Sequence, residues 1–303
     1  MQIDLNRFRG CLLGLAVGDA VGTSVEFQPR GSFPPVTGMV GGGPFHLKAG
    51  QWTDDTSMAL CLATSLITKD GFNAIDQMDR YWDWYRNGYL SSTGQCFDIG
   101  NTIRQALETY QRTGDPFSGS TAPETAGNGC LMRLAPIPLF YFPNLEKTIS
   151  FAGESSRTTH GALECVEASQ LFAEMLYRAL SGMSREAILF NTAVTLLSPK
   201  VAAIASGEYR QKSMAQIKGT GYVVESLEAA LWCFYQTDTF ESAILQAANL
   251  GDDADTTAAI CGQIAGAFYG EAGIPTTWLE TLFMREEIAD LADKLSRAGV
   301  SEG

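Results

Sequence analysis

Residues 53–68 read TDDTSMALCLATSLIT, and this stretch indicates the fold class. Met58, Leu62 and Leu66 recur every four residues, which places them on one side of a helix. Thr53 is a suitable N-cap, and the acidic residues that follow it suit the positive end of a helix dipole. The stretch therefore predicts an amphipathic helix over residues 54–68.

The same helical spacing recurs along most of the chain, and alternating β-branched runs bounded by turns are missing. Pro199 is the only proline between Pro143 and Pro275, so a long stretch lacks the strongest helix breaker. Further helices are predicted near residues 4–18, 74–86, 99–111, 160–181, 184–196, 224–235, 239–249, 256–269 and 285–297. The sequence predicts an all-α protein of ten or more helices.

The composition describes an acidic chain with a large core. Its 303 residues include 21 Lys and Arg against 34 Asp and Glu, a net charge of −13, with 45% hydrophobic and 18% charged residues. Nucleic-acid binding relies on Lys and Arg neutralising phosphates, and no basic run offsets the acidity. A nucleic-acid partner is therefore not expected.

We predict a single domain over residues 1–303 rather than two. Single cores stop growing around 250 to 300 residues, so the length by itself allows one domain or two. The Gly/Pro-rich stretch at 31–50 lies too near the N-terminus to separate domains, and it reads as one long surface loop.

The seven cysteines are scattered, odd in number and never spaced as CxxC. This pattern favours reduced thiols in the cytoplasm. The apolar run at 11–17 is too short for a membrane span, and no cleavage-site pattern follows it. We expect a cytoplasmic protein without a membrane partner.

Common catalytic motifs are missing: the sequence contains no P-loop, no GxGxxG, no HExxH and no GxSxG. It has only two histidines, His46 and His160, and its cysteines lack the spacing of zinc ligands, so the sequence does not indicate a zinc site.

Acidic clusters at two helix starts stand out instead. TDDT occupies residues 53–56, and DDADTT occupies residues 252–257. Crowded carboxylates repel one another unless a cation compensates, and carboxylate and hydroxyl oxygens suit Mg²⁺ or Mn²⁺. If the two helices pack side by side, the clusters could hold two ions about 3.5 to 4 Å apart. The alternative is that both clusters only cap their helices.

Six ordered motifs resemble the ADP-ribosylglycohydrolase family, which includes dinitrogenase reductase-activating glycohydrolase. The resemblance covers nearly the whole chain. The motifs are GLAVGDAVG at 14–22 with Glu26 after it, WTDDT at 52–56, DIGNT at 98–102, GNGCLMR at 127–133, TH at 159–160 and GDDADT at 251–256.

The resemblance implies an orthogonal bundle of helices around a binuclear magnesium or manganese centre that holds the distal ribose and a bridging water. It implies hydrolysis of the bond between ADP-ribose and a protein side chain, most often the guanidinium of arginine, with ADP-ribose as product. The implied metal ligands are Thr53, Asp54, Asp55, Asp253, Asp255 and Thr256.

The resemblance also implies roles for two carboxyl groups outside the clusters, Asp98 as the catalytic acid/base and Glu26 as a residue of a mobile lid. Without the family pattern, each would be read as a surface or capping carboxylate. The substrate-binding residues that it implies are Gly100, Asn101, Thr102, Asn128, Gly129, Cys130, Met132 and His160.

Cys130 and Asp252 depart from the residues that the family commonly has there. Neither departure removes an implied ligand, so we expect activity. Two alternatives stay open: an enzyme for serine-linked or small-molecule ADP-ribose conjugates, and a non-catalytic ADP-ribose binder.

Overall fold

The computed structural model describes residues 3–190 and 192–298 of the chain. Within them the protein is all-α, as predicted, with short 3-10 turns and no strand. The fourteen α-helices of this part are α1 (Leu5–Gly22), α2 (Asp54–Lys69), α3 (Ala74–Asn87), α4 (Asn101–Thr113), α5 (Pro136–Tyr141), α6 (Leu145–Arg157), α7 (Leu163–Leu180), α8 (Arg185–Leu189), α9 (Pro199–Ala205), α10 (Val223–Gln236), α11 (Phe240–Ala248), α12 (Ala254–Tyr269), α13 (Thr276–Thr281) and α14 (Arg285–Ala298).

The central helices α1 and α12 pack with their backbones in close contact. Glycines recur every four residues along α1, and among them Gly14 and Gly18 face α12. A Cβ on Gly14 would lie 2.2 Å from the carbonyl oxygen of Gly262, and a Cβ on Gly18 would lie 2.1 Å from that of Ala258. Larger side chains at this crossing would force the two helices apart. The close approach sets the C-terminal half of α1 beside the first turns of α12.

Buried hydrophobic side chains from Phe8 to Leu295 form one continuous cluster that includes residues of α1, α2, α7, α10 and α12. A smaller cluster joins the buried faces of α2, α3 and α4, around Met58 and Tyr81. The single-domain reading stays a prediction, and a core that runs through the chain in this way supports it.

The prediction of a helix over residues 184–196 is wrong beyond its first turns, because α8 ends at Leu189. Two buried carboxylates of α7 bind the following backbone instead. Glu174 accepts a hydrogen bond from the backbone N–H of Ala193 at 2.9 Å, and Glu167 accepts one from that of Leu197 at 2.8 Å. These tertiary bonds outweigh the local helical pattern.

Four helices, α5, α6, α9 and α13, were not predicted. Three of them are short, with six, seven and six residues in α5, α9 and α13, so they carry too few turns for a periodic signal. The fourth, α6, follows Pro143 and contains glycine and serine, which weaken the pattern.

The helix α1 is longer than predicted, and with the turn after it forms a segment, Leu5–Val25, that could cross a membrane by length and composition alone. The apolar stretch is therefore longer than the run at 11–17 indicated. Of its 18-residue apolar window 89% is buried inside the protein, which the core helix of a folded domain shows equally well.

The seven cysteines are all free, and six of them are buried while Cys96 is half-buried. Buried free thiols of this kind pack as small hydrophobic core residues.

Candidate active site

The N-termini of α2 and α12 meet, and two hydrogen bonds cross between them. The hydroxyl of Thr53, just before α2, lies 3.2 Å from Oδ2 of Asp255 and shares its single hydrogen between that oxygen and the carboxylate of Asp19 on α1. Thr256 of α12 donates through Oγ1 to Oδ1 of Asp55 at 3.2 Å. None of the four side chains is more than 5% exposed. The two acidic clusters therefore form one buried polar site, although some two hundred residues separate them.

Asp19 of α1 holds the start of α2 in place. Its carboxylate accepts hydrogen bonds from the backbone N–H and the hydroxyl of Thr53, at 2.9 and 3.0 Å, and from those of Thr56, at 3.1 and 2.6 Å. Burial raises the pKa of Asp19 to about 6, and these bonds oppose the rise. This role was not predicted from the sequence. The available signal was a single carboxyl group within the otherwise apolar residues 10–22.

Helix capping does not account for the two clusters. Thr53 and Asp253 occupy the N-cap positions of α2 and α12, yet neither side chain accepts a capping hydrogen bond from its own helix. The Thr53 hydroxyl is directed to carboxylates of other elements, and Oδ2 of Asp253 accepts a 2.6 Å bond from Asn128. Capping hydrogen bonds at the two N-cap positions therefore do not explain the clusters.

The carboxylates of the site lack enough hydrogen-bond donors. Oδ2 of Asp55 and Oδ1 of Asp255 are buried without a partner in the described structure. Burial, and then repulsion from neighbouring carboxylates, raises the pKa of Asp54, Asp55 and Asp255 well above the usual range. An acidic site of this kind is stable in its charged form only with a compensating cation.

The donor set fits a hard divalent cation. It consists of carboxylate and threonine hydroxyl oxygens, which favour Mg²⁺, Mn²⁺ or Ca²⁺ over softer metals. One carboxylate oxygen each from Glu26, Asp98 and Asp255 lie within 4.8 Å of one another, close enough to share an ion. The cavity beside them is lined by neither Lys nor Arg in the described part of the chain, so no side-chain cation takes that place.

Glu26 and Asp98 reach the site from two loops. Glu26 is 3% exposed, and burial, followed by repulsion from Asp255, raises its pKa far above the usual range. Asp98 stands three residues before α4 with φ +60°, and burial raises its pKa to about 7. The reading of these two groups as ordinary surface carboxylates is therefore not supported.

The Glu26 loop is joined to the second acidic cluster through backbone hydrogen bonds. The N–H of Phe27 donates to the carbonyl of Asp252 at 2.7 Å, and the N–H of Asp252 donates to that of Gln28 at 2.8 Å. Asp252, the departure from the family pattern, has φ +56° and an exposed side chain at the cavity edge. The predicted mobility of this loop stays a prediction.

A cavity of about 670 Å³ opens over the acidic site. Its volume lies in the range of small-molecule sites. Its lining contains the carboxylates Glu26, Asp54, Asp55, Asp98 and Asp253 together with Thr256. It also contains seven of the eight residues that were predicted to bind substrate, namely Gly100, Asn101, Thr102, Asn128, Gly129, Met132 and His160.

Cys130 is the exception among the predicted substrate-binding residues. Its side chain is 2% exposed and does not line the cavity; its thiol points to the carbonyl of Cys165 at 3.7 Å. It lies in the short 3-10 turn Asn128–Cys130, whose tight winding turns this side chain inward to α7.

His160 lies against the glycine-bearing loop. A Cβ on Gly129 would lie 2.7 Å from Cε1 of the His160 ring, so glycine is needed for this contact. Burial lowers the pKa of His160 to about 3, which keeps the ring neutral at physiological pH. Contrary to the prediction, His160 does not begin a helix, because α7 starts at Leu163.

Comparison with known proteins assigns these features to one family. The ADP-ribosylglycohydrolase family model matches residues 1–303. The chain is 47% identical to ADP-ribosylarginine hydrolase Tri1 of Serratia proteamaculans, over 96% of this chain and 79% of that protein. It is 33% identical to the ADP-ribosyl-[dinitrogen reductase] glycohydrolase of Rhodospirillum rubrum, over 93% and 92%. A solved structure described as an ADP-ribosylglycohydrolase-related protein complex superposes with a TM-score of 0.87, at 45% identity over 97% of this chain and 98% of that one.

Proposed function

The chain belongs to the ADP-ribosylglycohydrolase family, and we infer that it is an ADP-ribosylarginine hydrolase, which removes ADP-ribose from modified arginine side chains. The two relatives named for this activity are 47% and 48% identical over 96% of the chain. The observation that carries the assignment to the site is the meeting of the α2 and α12 N-termini through the Thr53–Asp255 and Thr256–Asp55 hydrogen bonds.

We propose that the site holds two divalent cations, Mg²⁺ or Mn²⁺. The unpartnered oxygens of Asp55 and Asp255 and the all-oxygen donor set support this. The ligands would be Thr53, Asp54, Asp55, Asp253, Asp255 and Thr256. Bound cations would supply Lewis-acid stabilisation of the charge that develops around the distal ribose.

Asp98 is the proposed acid/base. Hydrolysis breaks the bond from the anomeric carbon to the guanidinium nitrogen, joins that carbon to the oxygen of water, and returns a proton to the leaving nitrogen. In the metal-free protein burial raises the pKa of Asp98 to about 7, and a carboxyl group whose pKa is raised by burial can both hold and release that proton. Glu26, whose carboxylate lies within 4.8 Å of that of Asp98, completes the acidic wall of the site.

Neutral donors are proposed to bind the diphosphate of the substrate. Gly129, the start of α4 at Asn101 and the His160 ring line the cavity, whereas the N–H groups of Gly127 and Asn128 already donate to the carbonyls of Thr125 and Gly221. Backbone N–H groups at a helix start and in a glycine-bearing turn can bind an anion without Lys or Arg. Met132 and Thr102 contribute to the remaining wall.

We further propose that the protein acts in the cytoplasm on ADP-ribosylated proteins, without a nucleic-acid or membrane partner. The net charge of −13 and the seven free thiols support this setting.

Release of ADP-ribose from an arginine-modified protein and from a serine-modified peptide, assayed side by side with Mg²⁺ or Mn²⁺, tests the function. We expect release from arginine, and loss of release in Asp98→Asn. Asp290→Asn, which changes an exposed carboxylate on α14, is the matched control and should keep the wild-type rate. Release from serine alone would move the assignment to the other linkage, and tight ADP-ribose binding without release from either would favour a non-catalytic binder.

A further inference from the structure

Three phenylalanines from two interhelical connections, residues 26–53 and 88–100, form an aromatic patch at the mouth of the cavity. The rings of Phe27 and Phe45 have centroids 6.4 Å apart, and those of Phe45 and Phe97 have centroids 5.1 Å apart. Phe27 lines the cavity and is 64% exposed, while the other two are half-buried. We call these three residues the aromatic rim.

The fold holds Phe27 in an unfavourable backbone conformation and leaves its ring exposed. Its φ is +61°, a region that bulky residues rarely adopt, and its ring gains little from burial. The backbone hydrogen bond from its N–H to Asp252 maintains this conformation. Strain and exposure together at the edge of a catalytic cavity are typical of a residue that contacts a ligand.

The rim adjoins the carboxyl groups that face the reacting bond. Phe27 directly follows Glu26, and Phe97 directly precedes Asp98. The glycine-bearing loop and His160 belong to other segments of the cavity wall. A group that leaves from an anomeric carbon beside Glu26 and Asp98 therefore emerges next to the rim.

We propose that the aromatic rim receives the guanidinium group and the flanking peptide of the modified arginine. This inference rests on the proposed function, which makes that group the leaving group. A guanidinium is planar and cationic, and it binds favourably over the face of an aromatic ring. The neighbouring carboxylates add attraction, and the described cavity lining contains no Lys or Arg that would repel it.

Steady-state hydrolysis of ADP-ribosylarginine by Phe27 variants tests the rim. We expect Phe27→Ala to lower kcat/KM roughly three- to thirtyfold, the range of a cation–π contact. Phe27→Tyr, which keeps the ring, should retain most of the wild-type value, and Phe27→Leu, which keeps only apolar contact, should not. Ile75→Ala, a change at a 54% exposed apolar residue of α3 outside the cavity, is the control.

Calorimetric binding of ADP-ribose, which lacks arginine, separates the rim from a nucleotide contact. Its Kd should be the same in wild type and Phe27→Ala. The inference would be overturned if Phe27→Ala lost as much affinity for ADP-ribose as it lost in kcat/KM, or if its kcat/KM were unchanged. In both cases an active wild-type protein would leave the proposed function standing. A wild-type protein that releases no ADP-ribose from arginine would overturn both.

An independent inference concerns a buried chain of hydrogen bonds behind the cavity. Arg133 is fully buried, and no carboxylate within the described residues forms an ion pair with it. Its guanidinium donates to Oγ1 of Thr159 at 2.7 Å and lies 4.7 Å over the ring of Tyr81. Since Thr159 accepts this bond, its own hydroxyl hydrogen remains available for Nδ1 of His160, 2.8 Å away.

The Thr159 oxygen has a second lone pair, but within the described residues its hydrogen has no acceptor other than Nδ1 of His160, which favours one tautomer of the ring. A neutral imidazole that accepts at Nδ1 must carry its hydrogen on Nε2. Nε2 lies against the glycine-bearing loop, because Cβ atoms on Gly127 and Gly129 would be 3.3 and 3.2 Å from it. The ring belongs to the cavity wall, so this N–H is a donor at the substrate side.

We propose that Arg133 and Thr159 are positioning residues that fix His160 as an Nε2–H donor for a substrate oxygen. The inference rests on the proposed function only for the identity of that oxygen.

Nitrogen-15 NMR of the imidazole rings tests this directly, because the chain has only two histidines and a His46→Gln variant identifies the signals of His160. We expect the hydrogen of His160 on Nε2 in wild type and in Thr159→Ser, and a shift of the tautomer population in Thr159→Val. The Kd of ADP-ribose should rise roughly three- to tenfold in Thr159→Val and return in Thr159→Ser. A wild-type hydrogen on Nδ1, or a Thr159→Val spectrum identical to that of wild type, would overturn the inference.

Discussion

Replacing Asp255 with asparagine should stabilise the metal-free protein and abolish its response to divalent cations. Carboxylate oxygens of Asp255, Glu26 and Asp98 lie within 4.8 Å of one another, and one oxygen of Asp255 has no hydrogen-bond partner. Asparagine keeps an acceptor for the hydroxyl of Thr53 and offers an amide donor to the neighbouring carboxylates. It also removes one of the mutually repelling charges.

The size of this stabilisation follows from the distance between the carboxylate oxygens. At 4.8 Å and an effective dielectric constant of about 20, one ionised pair repels by about 3.5 kcal/mol. Partial protonation reduces this, so we expect a gain of about 1 to 3 kcal/mol, or roughly 2 to 6 °C in Tm for a chain of this size. Mn²⁺ at a hundred times its Kd should stabilise wild type by about 2.7 kcal/mol, roughly 5 °C.

Thermal unfolding followed by circular dichroism, first in chelator and then in Mn²⁺, is the assay. Wild type should be less stable than Asp255→Asn in chelator, and Mn²⁺ should raise the Tm of wild type but not that of the variant. Asp290→Asn should follow wild type in both conditions. If Asp255→Asn melted below wild type in chelator and still gained the full Mn²⁺ shift, the reasoning about uncompensated charge would be refuted.

Three further predictions follow from the same geometry. Gly14→Ala should lower the free energy of unfolding, measured in urea, by about 1 to 3 kcal/mol or more, because its Cβ would lie 2.2 Å from a backbone oxygen of α12. Gly38→Ala is the control and should be nearly neutral, because its Cβ would lie 3.6 Å from the nearest atom. Asp98→Asn should lower kcat roughly 10²- to 10⁴-fold with little change in the Kd of ADP-ribose, and an unchanged kcat would exclude it as the acid/base. Asp19→Asn should weaken Mn²⁺ binding in calorimetric titrations about 10- to 100-fold, since Asp19 orients Thr53; equal affinity would reduce its role to folding alone.

Periodicity in the sequence was sufficient for the helices that form the site. Both α2 and α12 carry long apolar faces, and the structure places their ends within two residues of the prediction. The acidic clusters could be singled out because two helix starts rich in Asp and Thr, of similar pattern, occur in one chain. Their meeting could only be proposed, since it depends on the contact of the glycines of α1 with α12.

Features that depend on contacts between residues far apart in sequence could not be predicted from the local sequence. The helical pattern over 184–196 ends early because Glu174 binds the backbone of Ala193. Asp19 looked like part of an apolar helix, and its role becomes visible only with Thr53 and Thr56 beside it. Cys130 follows a cavity-lining glycine, but the direction of its side chain is set by the 3-10 turn.

The aromatic rim and the hydrogen bonds of the buried Arg133 could not be predicted from the sequence either. Phe97 is far from Phe27 and Phe45 in sequence, and the contact of the three rings arises from the packing of two interhelical connections. Arg133 lies in a motif that suggested substrate binding, yet it acts one layer behind the cavity through Thr159. Hydrogen-bond direction, which no sequence pattern records, decides what each of these groups can do.

The most direct test of the central claim is the rate of ADP-ribose release from ADP-ribosylarginine by protein stripped of metal, measured before and after Mg²⁺ or Mn²⁺ is added. If the oxygens at the α2 and α12 N-termini hold cations that the reaction requires, stripping should reduce the rate roughly a hundredfold or more, and the added ion should restore it. A stripped protein, verified to be free of metal, that releases ADP-ribose at the full rate would contradict the claim.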